Sequence, residues 1–241
     1  MRFAYFLSRN IYRYLLPSIM SLLDHNKNVK AIYVFCEDDV FPYELPDVCK
    51  VINITDQPWI RHDSPNWSNM FTWVGLVRPC LPKLLPRVNK VIQLDVDTII
   101  CDDLSPLWNT DMGDSLMMAA DEKIGHYRIP GHGKYYNVGV AVLNLKQMRA
   151  EGFDDKMIDA LNRQWFLYIG QDAWNWLAYD RIMEMPTRYN ECFATGTSDD
   201  PAIVHYASVG QWWLQGVPRQ EYYDRYRVYE NECIPLSHGK N

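Results

Sequence analysis

The sequence predicts an α/β protein with one mixed, mostly parallel sheet that helices flank. Two observations support this fold class. Apolar runs of strand length recur at residues 3–7, 30–36, 48–54, 90–94, 115–120, 136–145 and 203–206. Helical periodicity separates the first two runs, over residues 11–23. A strand, a helix and a second strand in this order predict a right-handed crossover between parallel strands.

Further helices are predicted between the later strands. They are expected at residues 72–85, from Lys146 to Gly152, at 156–163 and at 171–178. Pro79 and Pro82 predict a kink in the first of these helices. Asp154 or Asp155 is available to cap the third. Ligands of such sheets bind beyond the carboxyl ends of the strands, so we expect the functional site there.

Length and composition limit the class of protein. The chain has 241 residues, of which 48% are hydrophobic, so it can bury a sizeable core. We place one large domain at residues 1–215 and a C-terminal tail at 216–241. A formal net charge of -6 argues against a nucleic-acid partner. Aromatic residues make up 14%, which suits carbohydrate binding and an aromatic core equally well.

The cellular location is predicted from what the chain contains. Six scattered cysteines without zinc-site spacing are typical of reduced thiols in a cytosolic protein. No apolar run approaches the ~18 residues of a membrane span. The apolar run in the first nine residues is too short for a secretory signal. We therefore expect a cytoplasmic protein, with contact to a membrane surface left open.

Asp95 and Asp97 form the sharpest motif. They directly follow the apolar strand at residues 90–94, and side chains two apart on a strand share a face. Two adjacent carboxylates repel each other unless a cation lies between them, and a hard divalent ion prefers oxygen ligands. His205 ends another apolar run and would complete a site of the Mn²⁺ type. The alternatives are a solvated polar turn and a structural histidine.

Two further motifs precede apolar or helical segments. Asn137 is followed by Gly139 at the start of a strand, where glycine lets the backbone approach a ligand closely. A simple transition from loop to strand is the alternative. Gln171 and Asp172 begin a predicted helix, where the aspartate could equally be a helix cap.

In this order the motifs resemble those of glycosyltransferase family 8, which includes bacterial lipopolysaccharide galactosyl- and glucosyltransferases and glycogenin. Residues 84–111 resemble the central block of the family, with its Leu-Leu-Pro turn, its Leu-Asp-x-Asp strand and its later Leu-Trp pair. Tyr136-Asn137-Val-Gly139-Val resembles the Phe-Asn-x-Gly-Val strand, and His205-Tyr206 the C-terminal His-Tyr pair. The resemblance extends over residues 3–213.

The resemblance implies a GT-A fold, in which a Rossmann-like nucleotide-binding sheet is fused with an acceptor-binding part. It implies a UDP-linked hexose donor (glucose or galactose) and Mn²⁺ or Mg²⁺. It also implies transfer to a hydroxyl of a glycan, lipid-linked or protein acceptor, with retention of the anomeric configuration. The metal ligands it implies are Asp95, Asp97 and His205. Its implied donor and catalytic residues are Ala4 and Asn10 for the nucleoside, Arg78 near the donor, Asp121, Asn137 and Gly139 around the sugar, Gln171 beneath the anomeric carbon, and Asp172 on the sugar hydroxyls.

Three positions depart from the family pattern. Ser8 replaces an acid of the first loop that reads the uracil edge, and this leaves the base open. Gly170 replaces the first aspartate of the helix start, and this leaves the sugar open. The C-terminal motif lacks the lysine that binds the diphosphate, so Arg78 or a loop lysine would have to substitute.

The resemblance favours same-face attack through an oxocarbenium-like state, supported by Gln171, because an amide is a poor nucleophile. Double displacement through Asp172 or Asp121 is the lesser alternative. A non-catalytic nucleotide-sugar or glycan-binding protein and a donor hydrolase also remain open. A nucleotidyltransferase would need a glycine-rich basic loop after the first strand, and residues 7–10 do not provide one.

The tail alternates aromatic and charged residues from Arg219 to Tyr229. Such a segment could rest on a membrane surface that holds a lipid-linked acceptor. Its acidic residues make a solvated helix face the alternative.

Overall fold

The computed structural model describes residues 1–68, 73–123, 129, 131–207 and 216–231. The strands are β1 (Arg2–Phe6), β2 (Ala31–Cys36), β3 (Cys49–Asn53), β4 (Val91–Leu94), β5 (Thr98–Ile100), β6 (Met117–Asp121), β7 (Tyr136–Leu143), β8 (Ile182–Glu184) and β9 (Ile203–His205). Seven of them form one sheet in the order β3-β2-β1-β4-β7-β6-β8. Only β7 runs antiparallel to its neighbours. The predicted mixed, mostly parallel sheet is confirmed.

The α-helices are α1 (Leu15–His25), α2 (Val74–Val77), α3 (Leu81–Leu84), α4 (Ser105–Asn109), α5 (Leu145–Glu151), α6 (Phe153–Arg163), α7 (Ile169–Leu177), α8 (Gln220–Asp224) and α9 (Val228–Asn231). Short 3-10 segments lie at Arg9–Tyr14, Arg78–Cys80, Tyr179–Arg181 and Thr187–Tyr189. The first helical region therefore begins with a 3-10 segment before α1. The second breaks at Arg78–Cys80 into α2 and α3, as its prolines predict.

Alternation along the strands explains why the central sheet is buried on both faces. In β1, Phe3 and Tyr5 belong to one hydrophobic cluster, whereas Ala4 and Phe6 belong to another. Helix α1 covers the first face, and α2, α3 and α5–α7 cover the second. Because successive side chains of a strand point to opposite faces, an unbroken apolar run is what a sheet between two helical layers requires.

Gly152 connects α5 and α6 and corrects one expectation. Its φ of 60° lies in the left-handed region, where it ends α5 and directly precedes α6. Neither Asp154 nor Asp155 caps α6, because the helix begins at Phe153 and includes both aspartates. Their carboxylates instead pair with Lys83.

Strands β5 and β9 form a second, two-stranded antiparallel sheet in which Thr98 lies opposite His205. The described part of the tail packs against this sheet. Tyr223 and Tyr226 are buried with Val204 and Tyr206. This packing removes two of the aromatic side chains that a membrane-binding face would present.

Two further expectations concern the whole chain. Cys36, Cys49, Cys80, Cys101 and Cys192 are free thiols, and Cys233 lies outside the described residues. None of the helices in the described part of the chain combines the length and apolar character needed to cross a bilayer.

Candidate active site

A cavity of about 580 Å³ opens at the edge of the sheet where β4 and β6 end and β7 begins. Polar and charged side chains line one part of it and apolar side chains another. The described lining consists of Gly75, Arg78, Pro79, Gln93, Asp95, Asp97, Glu122, Asn137, Val138, Gly139, Tyr168, Ile169, Gly170, Gln171, Trp174, Phe193, Ala194, His205 and Ala207. The predicted position of the site at the carboxyl ends of parallel strands therefore holds a cavity.

Asp95, Asp97 and His205 converge in this cavity. Nε2 of His205 lies 3.4 Å from Oδ1 of Asp97 and 3.7 Å from Oδ2 of Asp95. One potential ligand atom from each residue lies within 4.8 Å of the other two. The two sheets bring them together, because the aspartates follow β4 while His205 ends β9. Two carboxylates and one imidazole are a donor set that suits Mn²⁺ or Mg²⁺.

Gly139 provides the room for this cluster. A Cβ at this position would lie 2.7 Å from Oδ2 of Asp95 and 2.9 Å from Nε2 of His205. The Gly139 carbonyl also accepts a hydrogen bond from the backbone N–H of Asp95 at 2.7 Å. The predicted need for close backbone approach is therefore satisfied by the side chains of the cluster itself.

Burial and neighbouring charges shift the pKa values of Asp95 and His205 in this cluster. Burial raises the pKa of the Asp95 carboxyl, Arg78 opposes this, and the Asp97 carboxylate adds to it. Burial alone would lower the pKa of His205, but the Asp97 carboxylate and the Cys192 side chain together outweigh it and raise that pKa well above its ordinary value. A divalent cation would relieve the repulsion between the carboxylates and replace the imidazolium proton.

Arg78 lies on the opposite side of Asp95. Its guanidinium donates to Oδ1 of Asp95, while Oδ2 faces His205. Arg78 is the only arginine or lysine among the described residues that line the cavity. The resemblance placed an arginine near the donor, and the structure brings this one to the metal-ligand candidates.

Gln171 reaches the cavity from the first turn of α7. Its Oε1 accepts the backbone N–H of Val138 at 3.2 Å, and its Nε2 donates to Oε1 of Glu122 at 3.1 Å. Asn137 donates to the same carboxylate oxygen at 3.1 Å. Glu122 thus joins two predicted site residues, although the sequence analysis did not single it out.

Asp121 and Asp172 do not line the cavity. The carboxylate of Asp121 pairs with Lys123 at 3.3 Å and accepts the backbone N–H of Tyr135. Asp172 is buried, where it accepts the hydroxyl of Tyr135 and the backbone N–H of Tyr168. Both carboxylates therefore hold neighbouring backbone and side chains, and their predicted contact with the sugar remains a prediction.

The two residues predicted for the nucleoside do not line the main cavity. Ala4 is fully buried within β1. Asn10 is exposed in the 3-10 segment after β1 and accepts a hydrogen bond from Ser8. Arg9, which precedes Asn10 in the chain, lines a second cavity of about 360 Å³ together with Tyr12, Asp38, Val40, Phe41, Pro42 and Tyr43. Neither Ala4 nor Asn10 is in that lining.

Tyr168 and Phe193 line the main cavity and are exposed aromatic residues, with 39% and 70% of their surface accessible. Tyr168 directly precedes α7, and Phe193 follows the strand-like segment beside β9. Exposed aromatic faces at a cavity offer stacking surfaces for sugars. Sequence reasoning noted the aromatic content but could not place these two residues.

The comparison with known families decides the classification. The family model described as "Glycosyl transferase family 8" matches residues 3–215. The chain belongs to glycosyl transferase family 8. The family predicted from the motifs is confirmed, and the match covers the metal-ligand candidates, Gln171 and all of the seven-stranded sheet except Arg2.

Three curated relatives share about a quarter of their aligned residues with the chain. General stress protein A of Bacillus subtilis is 25% identical over 190 residues, which are 67% of this chain and 66% of that protein. A putative glycosyltransferase of Haemophilus influenzae is 26% identical over 68% of this chain and 56% of its own length. Glycosyltransferase GlyE of Streptococcus pneumoniae is 26% identical over 62% of this chain and 40% of its own length. The alignments thus span less than two thirds of each relative.

Solved structures confirm the GT-A fold. The galactosyltransferase LgtC, in complex with donor and acceptor sugar analogs, superposes with a TM-score of 0.73 over 99% of this chain and 98% of that chain. GlyE superposes with a TM-score of 0.69 over 96% of this chain and 62% of that chain. Identities of 18% and 20% make this a likeness of fold.

Proposed function

We propose that this family 8 chain transfers a hexose, glucose or galactose, from a UDP-sugar to an acceptor hydroxyl with retention of configuration. The observation that carries the proposal is the convergence of Asp95, Asp97 and His205 in one cavity with Gln171. A cation site beside an amide matches what a diphosphate leaving group and a reacting sugar require.

The residues present fit a divalent cation. The three candidate ligand atoms face one another, and Gly139 leaves the space that a side chain would fill. A Mn²⁺ or Mg²⁺ ion bound by Asp95, Asp97 and His205 would supply positive charge against the diphosphate of the donor.

Arg78 is the residue we propose to take the place of the missing lysine. It is cationic, it lines the cavity, and it already contacts Asp95. A planar guanidinium binds phosphate oxygens with paired hydrogen bonds, so it suits the diphosphate.

Gln171 and Glu122 would act on the reacting sugar. The backbone N–H of Val138 and the Glu122 carboxylate fix the Gln171 amide at both ends. A fixed amide dipole stabilises positive charge that develops at the anomeric carbon. We favour attack by the acceptor hydroxyl on the face that the diphosphate leaves, with the departing phosphate oxygen accepting the hydroxyl proton. Retention follows from this geometry.

Double displacement is the lesser alternative, because it needs a carboxylate that faces the sugar. Asp121 and Asp172 form hydrogen bonds elsewhere, whereas Glu122 lines the cavity. Glu122 is therefore the carboxylate we would test first as a nucleophile.

The acceptor is proposed to be a glycan, alone or linked to lipid or protein. Tyr168 and Phe193 are exposed in the cavity lining, where an acceptor sugar could stack as it presents its hydroxyl. An aromatic face packs against the apolar C–H face of a pyranose, so a sugar acceptor explains why such residues are exposed here.

The experiment is release of UDP from a panel of UDP-sugars, with Mn²⁺ and with EDTA. We expect release from UDP-glucose or UDP-galactose that stops in EDTA. Binding of a UDP-sugar without release, even with a panel of glycosides as acceptors, would favour the non-catalytic alternative. Absence of binding to every UDP-sugar in Mn²⁺ would contradict the proposed donor.

A further inference from the structure

A continuous line of side-chain hydrogen bonds connects His205 to Gln171. Nδ1 of His205 lies 2.8 Å from Oδ1 of Asn190, and Nδ2 of Asn190 donates to Oδ1 of Asn137 at 3.0 Å. Asn137 donates to Glu122, which also accepts from Gln171. Asn190 is the one member of this line that does not line the cavity, and nothing so far gives it a role.

The direction of each hydrogen bond from His205 to Glu122 follows from two groups: the Gly139 N–H, which can only donate, and the Glu122 carboxylate, which accepts. The backbone N–H of Gly139 can only donate, and it donates to Asn137 at 3.0 Å, so the atom it meets must be the Asn137 oxygen. The nitrogen of Asn137 then faces the Glu122 carboxylate. Asn190 must therefore turn its own nitrogen to the Asn137 oxygen and its oxygen to His205.

The direction of these hydrogen bonds determines the tautomer of the neutral His205 imidazole. The oxygen of Asn190 can only accept, so Nδ1 of His205 carries a proton. In the neutral ring Nε2 then has the free lone pair, and Nε2 is the atom that faces Asp95 and Asp97. The ring is thereby held in the tautomer and orientation that a metal ligand needs.

The main chain of Asn190 is held independently of its side chain. Its N–H donates to the Thr187 carbonyl at 2.8 Å, and its carbonyl accepts the hydroxyl of Thr195. The residue is fully buried. Changes of the side chain can therefore alter the hydrogen-bonded line while the backbone contacts remain.

We propose that Asn190 is a positioning residue that presents Nε2 of His205 to the cation site and ties this ligand to Gln171 through Asn137 and Glu122. The inference rests on the proposed function, since it assigns the cation site to Asp95, Asp97 and His205. It adds that the metal end and the sugar end of the cavity share one rigid hydrogen-bonded framework.

The test is a titration of the full chain with Mn²⁺ in the absence of nucleotide. The electron paramagnetic resonance signal of free Mn²⁺ measures how much of the ion is bound. Asn190→Ala should weaken Mn²⁺ binding about 10- to 100-fold, because loss of the partner of a histidine ligand has this effect. The Mn²⁺ affinity of Asn190→Asp should be within about threefold of that of the unchanged chain, or higher, because a carboxylate also accepts a hydrogen bond from Nδ1–H. Such rescue would not follow from a merely structural role, since the new carboxylate cannot donate to Asn137.

The matched control is Asn26→Ala. Asn26 is also a buried asparagine that both donates and accepts hydrogen bonds, but it caps the far end of α1. Its loss should lower the melting temperature and leave Mn²⁺ affinity unchanged. If the unchanged chain binds Mn²⁺ and Asn190→Ala binds within twofold of it, the positioning role is overturned while the proposed function stands. If the unchanged chain does not bind Mn²⁺, the proposed metal dependence fails, and this inference with it.

Discussion

Two regions at strand ends differ in how firmly their side chains are held. At the end of β9, His205 is buried and hydrogen-bonded to the buried side chain of Asn190. At the end of β1, Arg9 has 63% of its side chain exposed and pairs with Asp38 across the second cavity. The first region, which we propose to hold the metal and call the metal side, keeps the Asp-x-Asp and His-Tyr residues of the family. The second, which we propose to face the nucleoside and call the nucleoside side, departs from the family pattern at Ser8.

The difference suggests a division of labour. Groups that act on a developing charge must be fixed before the reaction, and the metal side has the buried contacts to fix them. Groups that only recognise a base can differ without changing the chemistry. We therefore expect substitutions on the metal side to affect turnover and those on the nucleoside side to affect the choice of donor.

Asp97→Asn gives the largest expected effect. Loss of one carboxylate from the cation site should lower UDP release by about a thousandfold, because several kcal/mol of charge stabilisation are lost. The matched change on the nucleoside side is Asp38→Asn, which breaks the pair with Arg9 and should cost less than about tenfold. Equal losses in steady-state release would break the comparison between the two sides.

Gly139→Ala tests the space around the cation site. The added Cβ would press on Asp95 and His205, so Mn²⁺ affinity should fall about 10- to 100-fold. Gly133→Ala is the control, because its Cβ would meet only the Tyr179 hydroxyl, at an ordinary 3.5 Å. Calorimetric titration with Mn²⁺ measures both, and a Gly139→Ala chain that binds normally would contradict the close packing.

The affinity for Mn²⁺ should depend on pH above the ordinary histidine range. Although burial opposes it, the Asp97 carboxylate and the Cys192 side chain together raise the pKa of His205, so a proton competes with the cation up to that raised pKa. Affinity should therefore rise by up to about tenfold per pH unit through neutral pH and level off only above the raised pKa. Titrations at a series of pH values that show a plateau from pH 6.5 upwards would contradict this.

Phe193→Ala should weaken the acceptor alone. We expect KM for a glycoside acceptor to rise up to about tenfold, since an aromatic contact contributes about 1 kcal/mol, while acceptor-free UDP release stays the same. Trp165→Ala is the control, because Trp165 is exposed but does not line the cavity. A similar rise in KM for both variants would argue against the cavity mouth as the acceptor site.

Ser8→Asp should have the smallest effect. It restores the acid of the family loop, so the preference for UDP over other nucleoside diphosphates should increase severalfold, which is the scale of one added hydrogen bond. Competition binding with UDP, GDP and ADP measures the preference. An unchanged ratio of the affinity for UDP to the affinities for GDP and ADP would mean that the first loop does not read the base.

The parts of the fold that depend on local periodicity were predictable from the sequence. The apolar runs predicted six of the seven strands of the central sheet, all but β8, as well as β9, and Pro79 and Pro82 predicted the broken second helix. Strand β8 and the pairing of β5 with β9 were not predicted. Three-residue strands carry too few side chains to show a period, and their pairing is decided by contacts far apart in sequence.

The candidate site divides in the same way. Asp95, Asp97, His205, Asn137, Gly139 and Gln171 were named from the sequence, and the structure brings them into one cavity. Glu122 was missed in favour of its neighbour Asp121. The register between β6 and β7 shifts between Ala119 and Ala120, so alternation alone cannot tell which of the two carboxylates reaches the cavity. Asn190 follows a 3-10 segment and carried no motif at all.

The most direct test of the account is a crystal structure of the chain grown with Mn²⁺ and UDP, with the ion located by its anomalous scattering. The account predicts a Mn²⁺ peak within bonding distance of Asp95, Asp97 and His205, with the diphosphate beside Arg78. A peak elsewhere, or UDP bound away from this cavity, would contradict the assignment of the metal side as the donor site.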